Sequence, residues 1–177
     1  ADKHGYDSTK FGAFGASAGG NLVSLLGTTG DAKVFDVGEN LAFSSRVQAV
    51  IDWFGPTDFL LMDSQKLANG DSHNPANSPE SLYLGGPIQE KKELARQANP
   101  ITYVSKSDPP FYIAHGDLDR QVPFGQSEIL RDALLKAGAP VIFKKVEGQG
   151  HGFRDEETTK AGIAFMKKHL MGAKESK

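Results

Sequence analysis

Gly15-Ala16-Ser17-Ala18-Gly19 sets one serine between two glycines, where a β-like run, Lys10–Phe14, gives way to a helical pattern. A serine hydroxyl is a weak nucleophile until a base takes its proton and a third group orients that base. The spacing G-x-S-x-G suits such a nucleophile when a strand precedes it and a helix follows. The chain then turns so tightly that the hydroxyl projects into a crevice. Glycines on both sides let strand and helix approach without Cβ overlap. The helix N-terminus behind the serine directs partial positive charge at an oxyanion, and the Ala18 N–H is its natural first donor. Without a base and an acid, the same five residues read as a Gly-rich turn with an incidental serine.

Two later turns supply both partners. His115-Gly116-Asp117-Leu118-Asp119-Arg120-Gln121-Val122-Pro123 follows one β-like run, and Gly148-Gln149-Gly150-His151-Gly152-Phe153 follows another. An acid and a histidine thus sit on loops after strand C-termini, the edge where α/β sheets gather ligands. Asp117 and Asp119 are rival acids. An Asp directly after His-Gly more often caps its own turn, which favours Asp119. His115 reads as a satisfied structural histidine, and His4, His73 and His169 as surface residues. Phe54 and Phe153 are candidates to line an acyl or aryl pocket, whereas Phe11, Phe14, Trp53 and Phe111 read as core. No His/Asp/Glu cluster has metal-ligand spacing, so neither a metal nor another cofactor is expected.

The elements that must position these residues follow from periodicity. The runs Lys10–Phe14, Val47–Trp53, Phe111–Ala114 and Val141–Val146 alternate with helical stretches. That alternation predicts an α/β fold with a parallel sheet flanked by helices. The first helix is expected to bury Ala18, Leu22, Leu25 and Leu26 and to stop at Gly27. Another, opened by Pro123 and closed by Gly138, carries the stripe Ile129, Leu130, Ala133, Leu134 and Ala137. A last helix over Asp155–Met171 has acids in its first turn and bases in its last, as the helix dipole favours. An irregular excursion at about 55–100, dense in turn chemistry, breaks the rhythm. It holds one short helix near Gln89–Gln97 with Leu94 as the main apolar contact.

Composition removes other classes of function. With 20 Lys+Arg against 22 Asp+Glu, the formal net charge is −2, and no basic block offers a footprint for nucleic acid. No apolar run approaches the ~18 residues of a membrane span. Hydrophobic residues at 38% of 177 give enough apolar mass for one core, so residues 1–177 read as a single domain. The absence of Cys excludes disulfides and thiolate nucleophiles and leaves the compartment open. The start at Ala1, with no Met and no signal-peptide pattern, reads as a processed or excised piece.

Gly-Ala-Ser-Ala-Gly-Gly-Asn at 15–21, Trp53-Phe54-Gly55-Pro56-Thr57-Asp58, His115 to Pro123 and Gly150-His151-Gly152-Phe153 together resemble the α/β-hydrolase esterase/lipase family. The likeness is nearest to bacterial carboxylesterases of the acetyl-hydrolase and feruloyl-esterase type, and its four ordered motifs run nearly end to end. The resemblance implies an α/β-hydrolase fold and a serine carboxylic-ester hydrolase that acts on small-molecule esters through an acyl-enzyme. It implies Ser17 as nucleophile, Asp119 as triad acid and His151 as base, in that chain order. Two alternatives stay open: a serine peptidase of the prolyl-oligopeptidase type, and a non-catalytic hydrolase-like binding domain.

One departure from the family pattern is plain. Only 16 residues precede Ser17, where the family has several strands and a His-Gly-Gly-type loop carrying the second oxyanion donor. The pairs His4-Gly5, His115-Gly116 and His151-Gly152 open no Gly run. The chain is therefore expected to correspond to the C-terminal half of the fold. Its Lys10–Phe14 edge is expected to be unpaired, and to be covered by the missing half or by self-association. The choice of acid is testable. Asp119→Asn should lower kcat by orders of magnitude through the wrong His tautomer, whereas Asp117→Asn should act mainly on stability; steady-state kinetics beside thermal melts separates the two.

Overall fold

The computed structural model describes residues 2–172. Among these, β1 (Gly12–Ala16), β2 (Ala49–Trp53), β3 (Phe111–Gly116) and β4 (Val141–Val146) form one parallel sheet in the order β1-β2-β3-β4. Helix α1 (Ala18–Thr28) follows β1, α5 (Gly125–Ala137) joins β3 to β4, and α6 (Glu156–Met171) follows β4. β2 and β3 are apolar and buried along nearly their whole length, as strands covered on both faces must be. Val50, Phe111 and Ile113 pack towards Leu130 and Leu134 of α5 and Val23 of α1. Ile51, Tyr112 and Ala114 point the other way and pack against Phe165 of α6.

Register then sets the working edge. Ala16 pairs with Trp53, and Trp53 with Ala114. The next residues, Ser17, Phe54 and His115, therefore leave the sheet at one level. β1 ends two residues later than the periodicity predicts, directly before Ser17, and β3 runs on through His115 and Gly116.

The face of α1 differs from the expected one. Leu22 is 56% exposed and Leu26 is also exposed, while Gly20, Asn21, Ser24, Leu25, Gly27 and Thr28 are buried. The helix lies so close to the sheet that only small side chains fit the seam. A Cβ on Gly20 would run into Asp52 and Gly55, and one on Gly27 would sit 2.7 Å from Val50 and Phe111. Gly27 is thus an interior residue that permits contact, and the helix runs on to Thr28. The α5 stop holds as expected, with Gly138 in the left-handed conformation at φ 82°.

Two of the aromatics expected in the core are exposed, Phe11 and Phe14, the latter at 57%. β1 lies at the edge of the sheet, so among the described residues no strand covers its outer side. Phe14, Trp53, Ile163 and Met166 line an open apolar groove of about 520 Å³ between β1 and α6.

The 55–100 excursion is ordered. It contains α2 (Met62–Gln65), α3 (Pro79–Leu84) and α4 (Lys92–Gln97), joined by short 3₁₀ turns. Phe59, Met62, Leu84, Ile88, Ala95 and Val122 form a cluster of their own. The helix expected over Gln89–Gln97 splits at Lys91, and Ala95 is buried where Leu94 was expected to be. His73, expected at the surface, is buried beside Glu80 at 3.2 Å. Buried amides tie the excursion down. Asn21 Nδ2 donates to the Pro56 and Ala98 carbonyls at 3.0 and 3.1 Å, and Gln126 Oε1 accepts from the Thr57 and Asp58 N–H groups at 2.8 and 2.7 Å. Asn21→Ala would leave two buried carbonyls unpaired, at a cost of about 1–3 kcal/mol. A lower denaturant midpoint with faster protease cleavage within 55–100 is the expected outcome.

Candidate active site

Ser17 is the hinge between β1 and α1, with φ 55° and ψ −126°, a region that L-residues seldom occupy. Such a backbone costs on the order of 1–3 kcal/mol and persists only where its surroundings enforce it. Here the Ser17 N–H donates to the Trp53 carbonyl at 2.9 Å, and the Ser17 carbonyl accepts from the Gly20 N–H at 2.8 Å. A side chain at Gly15 would overlap the Gly19 backbone, so the turn requires glycine there. Beneath the turn lies the buried carboxyl of Asp52, which accepts from the Ser24 hydroxyl and the Gly55 N–H, both at 2.9 Å. Burial pushes the Asp52 pKa up from the ordinary carboxylate value, against those two hydrogen bonds. Ala18 opens α1, so its N–H is one of the donors that a helix leaves without an internal partner.

The turns after β3 and β4 are stapled together. The Leu118 N–H donates to the Gln149 carbonyl at 2.9 Å, and the Gly148 N–H donates to Asp117 Oδ1 at 2.6 Å. Asp117 therefore caps the neighbouring turn. Asp119 is buried, its Oδ1 accepting from the Gln121 and Val122 N–H groups at 2.8 and 2.9 Å. Its Oδ2 lies 2.8 Å from His151 Nδ1, and His151 Nε2 lies 3.0 Å from Ser17 Oγ. A charged Asp119 needs a donor, so Nδ1 carries the hydrogen and Nε2 is left to accept from the Ser17 hydroxyl. Burial alone would raise the Asp119 pKa. Hydrogen bonds from His115, His151 and the Val122 N–H outweigh it and hold the carboxyl well below the usual range.

Of the residues singled out in the sequence, Ser17, His151 and Asp119 are thus brought together, with Ala18 beside them. Phe54 and Phe153 are buried behind the imidazole. The Phe54 ring lies 4.7 Å from His151 and 5.3 Å from Phe153, and Phe54 itself has φ 45°. The cleft that Ala18 opens onto, about 160 Å³, is lined instead by Leu22, Pro56, Phe59, Glu80 and Tyr83. Most of these come from the excursion and carry no local signal of a shared wall. Sequence reasoning also gives no hint that His115 touches Asp119, at 3.2 Å from Oδ2. Among the described residues, no group of three or more His, Asp or Glu side chains is arranged to hold a metal.

The Asp119 shift has a consequence for stability. A carboxyl depressed in the folded state stabilises it above the unfolded pKa of about 4, and that contribution fades as pH falls below it. Denaturant unfolding should find wild type more stable than Asp119→Asn at pH 7, with the gap narrowing at pH 3.

Comparison with known proteins agrees with this architecture. The family model described as BD-FAE matches residues 1–134, which include Ser17 and Asp119 but end before His151. A probable carboxylic ester hydrolase of Mycobacterium tuberculosis, LipM, is 29% identical over 154 residues, 85% of this chain and 34% of that protein. The esterase LipC of the same organism is 28% identical over 153 residues, 86% of this chain and 37% of its own. The chain thus spans about a third of the length of the curated relatives it matches. Among solved structures, a truncated form of a carbohydrate esterase from gut microbiota superposes with a TM-score of 0.84 and 32% identity, covering 97% of this chain and 63% of that one. A bifunctional GH43-CE protein of Bacteroides eggerthii gives 0.76 and 38%, covering 88% and 23%. With the α/β-hydrolase sheet in place and the family match extending over most of its length, the chain belongs to the BD-FAE family.

Proposed function

We propose that this chain carries the nucleophile, base and acid of a serine carboxylic-ester hydrolase. The observation that carries the reading is the unbroken hydrogen-bond chain from Ser17 Oγ through both His151 nitrogens to Asp119, with Ser17 held in a strained turn at a helix N-terminus. Ser17 Oγ attacks the ester carbonyl carbon as its proton passes to His151 Nε2. The carbonyl oxygen, now negative, faces the Ala18 N–H. Collapse of the tetrahedral intermediate breaks the bond to the alcohol, which leaves with the proton from His151 and forms the acyl-enzyme. Water then repeats the sequence, with His151 again as base, and releases the acid and free Ser17. Asp119 keeps Nδ1 protonated and stabilises the imidazolium throughout.

The apolar cleft beside Ala18 supports a small acyl or aryl group packed against Leu22, Phe59 and Tyr83, with Phe54 and Phe153 backing the imidazole. The named activities of LipM, LipC and the carbohydrate esterase support an ester over an amide. Peptidase structures at 24% and 18% identity share the fold alone.

Hydrolysis of p-nitrophenyl acetate tests the reading. Ser17→Ala and His151→Ala should each lower kcat by at least about 10³-fold without loss of fold, because the three groups act as a unit. A fluorophosphonate should label wild type and spare Ser17→Ala. Ser17→Ala turning over at the wild-type rate would end the proposal, and cleavage of a chromogenic Pro-containing peptide in place of the ester would move the chain to the peptidases.

A further inference from the structure

His115 is fully buried at the end of β3, and its ring makes three polar contacts. Nδ1 lies 2.7 Å from the Ser127 hydroxyl in the first turn of α5. Nε2 lies 3.0 Å from the Val122 carbonyl and 3.2 Å from Asp119 Oδ2. A carbonyl and a carboxylate only accept, so Nε2 must carry a hydrogen and shares it between them. Nδ1 is then free to accept from the Ser127 hydroxyl, and the neutral ring satisfies every contact. The opposite neutral tautomer would aim a lone pair at two acceptors and leave the Ser127 hydroxyl facing an N–H.

Ser127 and the Val122 carbonyl alone would satisfy a merely structural histidine. The third contact goes to Oδ2, the same oxygen that accepts from His151 Nδ1. With Oδ1 held by the Gln121 and Val122 N–H groups, the carboxylate has donors on both oxygens and cannot rotate away from His151. The groups facing the two imidazoles come from every neighbouring element. Asp119 faces both. Asp52 of β2 and Lys145 of β4 lie on the same side of the sheet as His115, Lys145 being paired with Asp117. Phe54 and Phe124 pack against His115, and Phe54 and Phe153 pack behind His151, all uncharged.

We infer that His115 is a positioning residue of the site: its Nε2–H pins and partly neutralises the Asp119 oxygen that orients His151, and the Ser127 hydroxyl fixes the tautomer that allows it. The inference rests on the roles proposed above for Ser17, His151 and Asp119. Its physical content is a division of one negative charge between two imidazoles. Removing the inner donor leaves Oδ2 to His151 alone, which favours the imidazolium and loosens the hold on that oxygen while Oδ1 stays bound to the backbone.

The test compares wild type, His115→Leu, His115→Gln and Ser127→Ala on p-nitrophenyl acetate, as kcat and KM against pH. In His115→Leu the acidic limb of kcat/KM should move up by about one pH unit. kcat should fall about tenfold or more through loss of alignment, with KM changed less than about twofold. Gln can place an amide N–H where Nε2 stood, so His115→Gln should return the limb to its wild-type position. Ser127→Ala should fall between, and it serves with His115→Gln if the Leu variant does not fold. An unmoved limb in every folded variant, with losses only in thermal stability, would overturn the inference. NMR titration of the His151 ring, in a Ser17→Ala background with and without the His115 changes, reads the same shift without turnover. A wild type inactive on esters would sink the functional reading, while an unmoved His151 midpoint would sink this one.

Discussion

A carboxylate taken out of water must be surrounded by donors, and Asp119 is where this protein meets that demand. An unpaired buried charge costs several kcal/mol, so the chain around it is arranged to supply hydrogens. Two come from the backbone of the following turn, one from His115 at the end of β3 and one from His151 on the turn after β4. Each supplier restricts an element. The Gln121–Val122 turn fixes the entry to α5, His115 fixes the end of β3, and His151 fixes the β4 turn. The Leu118–Gln149 and Asp117–Gly148 hydrogen bonds brace the same region from outside. Once Asp119 and His151 are held in this way, the remaining imidazole nitrogen can face only the level at which β1 ends.

That level is reached because α1 lies so close to the sheet. Gly20 and Gly27 allow the helix axis to approach β2 and β3, and Ser24 uses the narrow gap to bond Asp52. The approach exposes Leu22, whose side chain becomes part of the cleft beside Ala18. Packing and site are thus one arrangement. A helix that buried its leucines would stand further from the sheet and carry Ser17 away from His151. The excursion completes the cleft because Asn21 and Gln126 hold its two ends against α1 and α5. Its own apolar cluster keeps α3 and α4 in place between those anchors.

What could be read without a structure was the chemistry that depends on near neighbours in the chain. Strand–turn–helix punctuation around Ser17, the Val141–Val146 strand, the Gly138 stop and the last helix with its acidic first turn all follow from dihedral preferences, alternation and charge placement along the helix. The four short motifs also gave the order of serine, acid and histidine along the chain. Local preference was enough to favour Asp119 over Asp117, since an Asp after His-Gly tends to bond its own turn; Asp117 does cap a turn, though it is the one after β4.

Contacts between distant segments decided the rest. Helical periodicity marks Leu22 and Leu26 as a buried face, but the depth of the seam, set by Asp52, Val50 and Phe111 across the sheet, puts Gly20, Ser24 and Gly27 at the closest approach and turns those leucines outward. Phe14, read locally as core, is exposed because β1 is paired on one side only among the described residues, in line with the unpaired edge expected from the family pattern. His73 is buried beside Glu80 within the excursion, and Phe59 and Tyr83 share a wall with Ala18 because the excursion folds back over α1. His115 shows the limit most clearly. Its position after a β-like run marked it as a satisfied structural histidine, and it reaches Asp119 within its own turn; that the same Asp119 oxygen also faces His151 depends on two strands placing their turns side by side. Sequence specifies which groups are available and what each prefers locally; burial and proximity are properties of the assembled sheet, and they determine which of those groups share a proton.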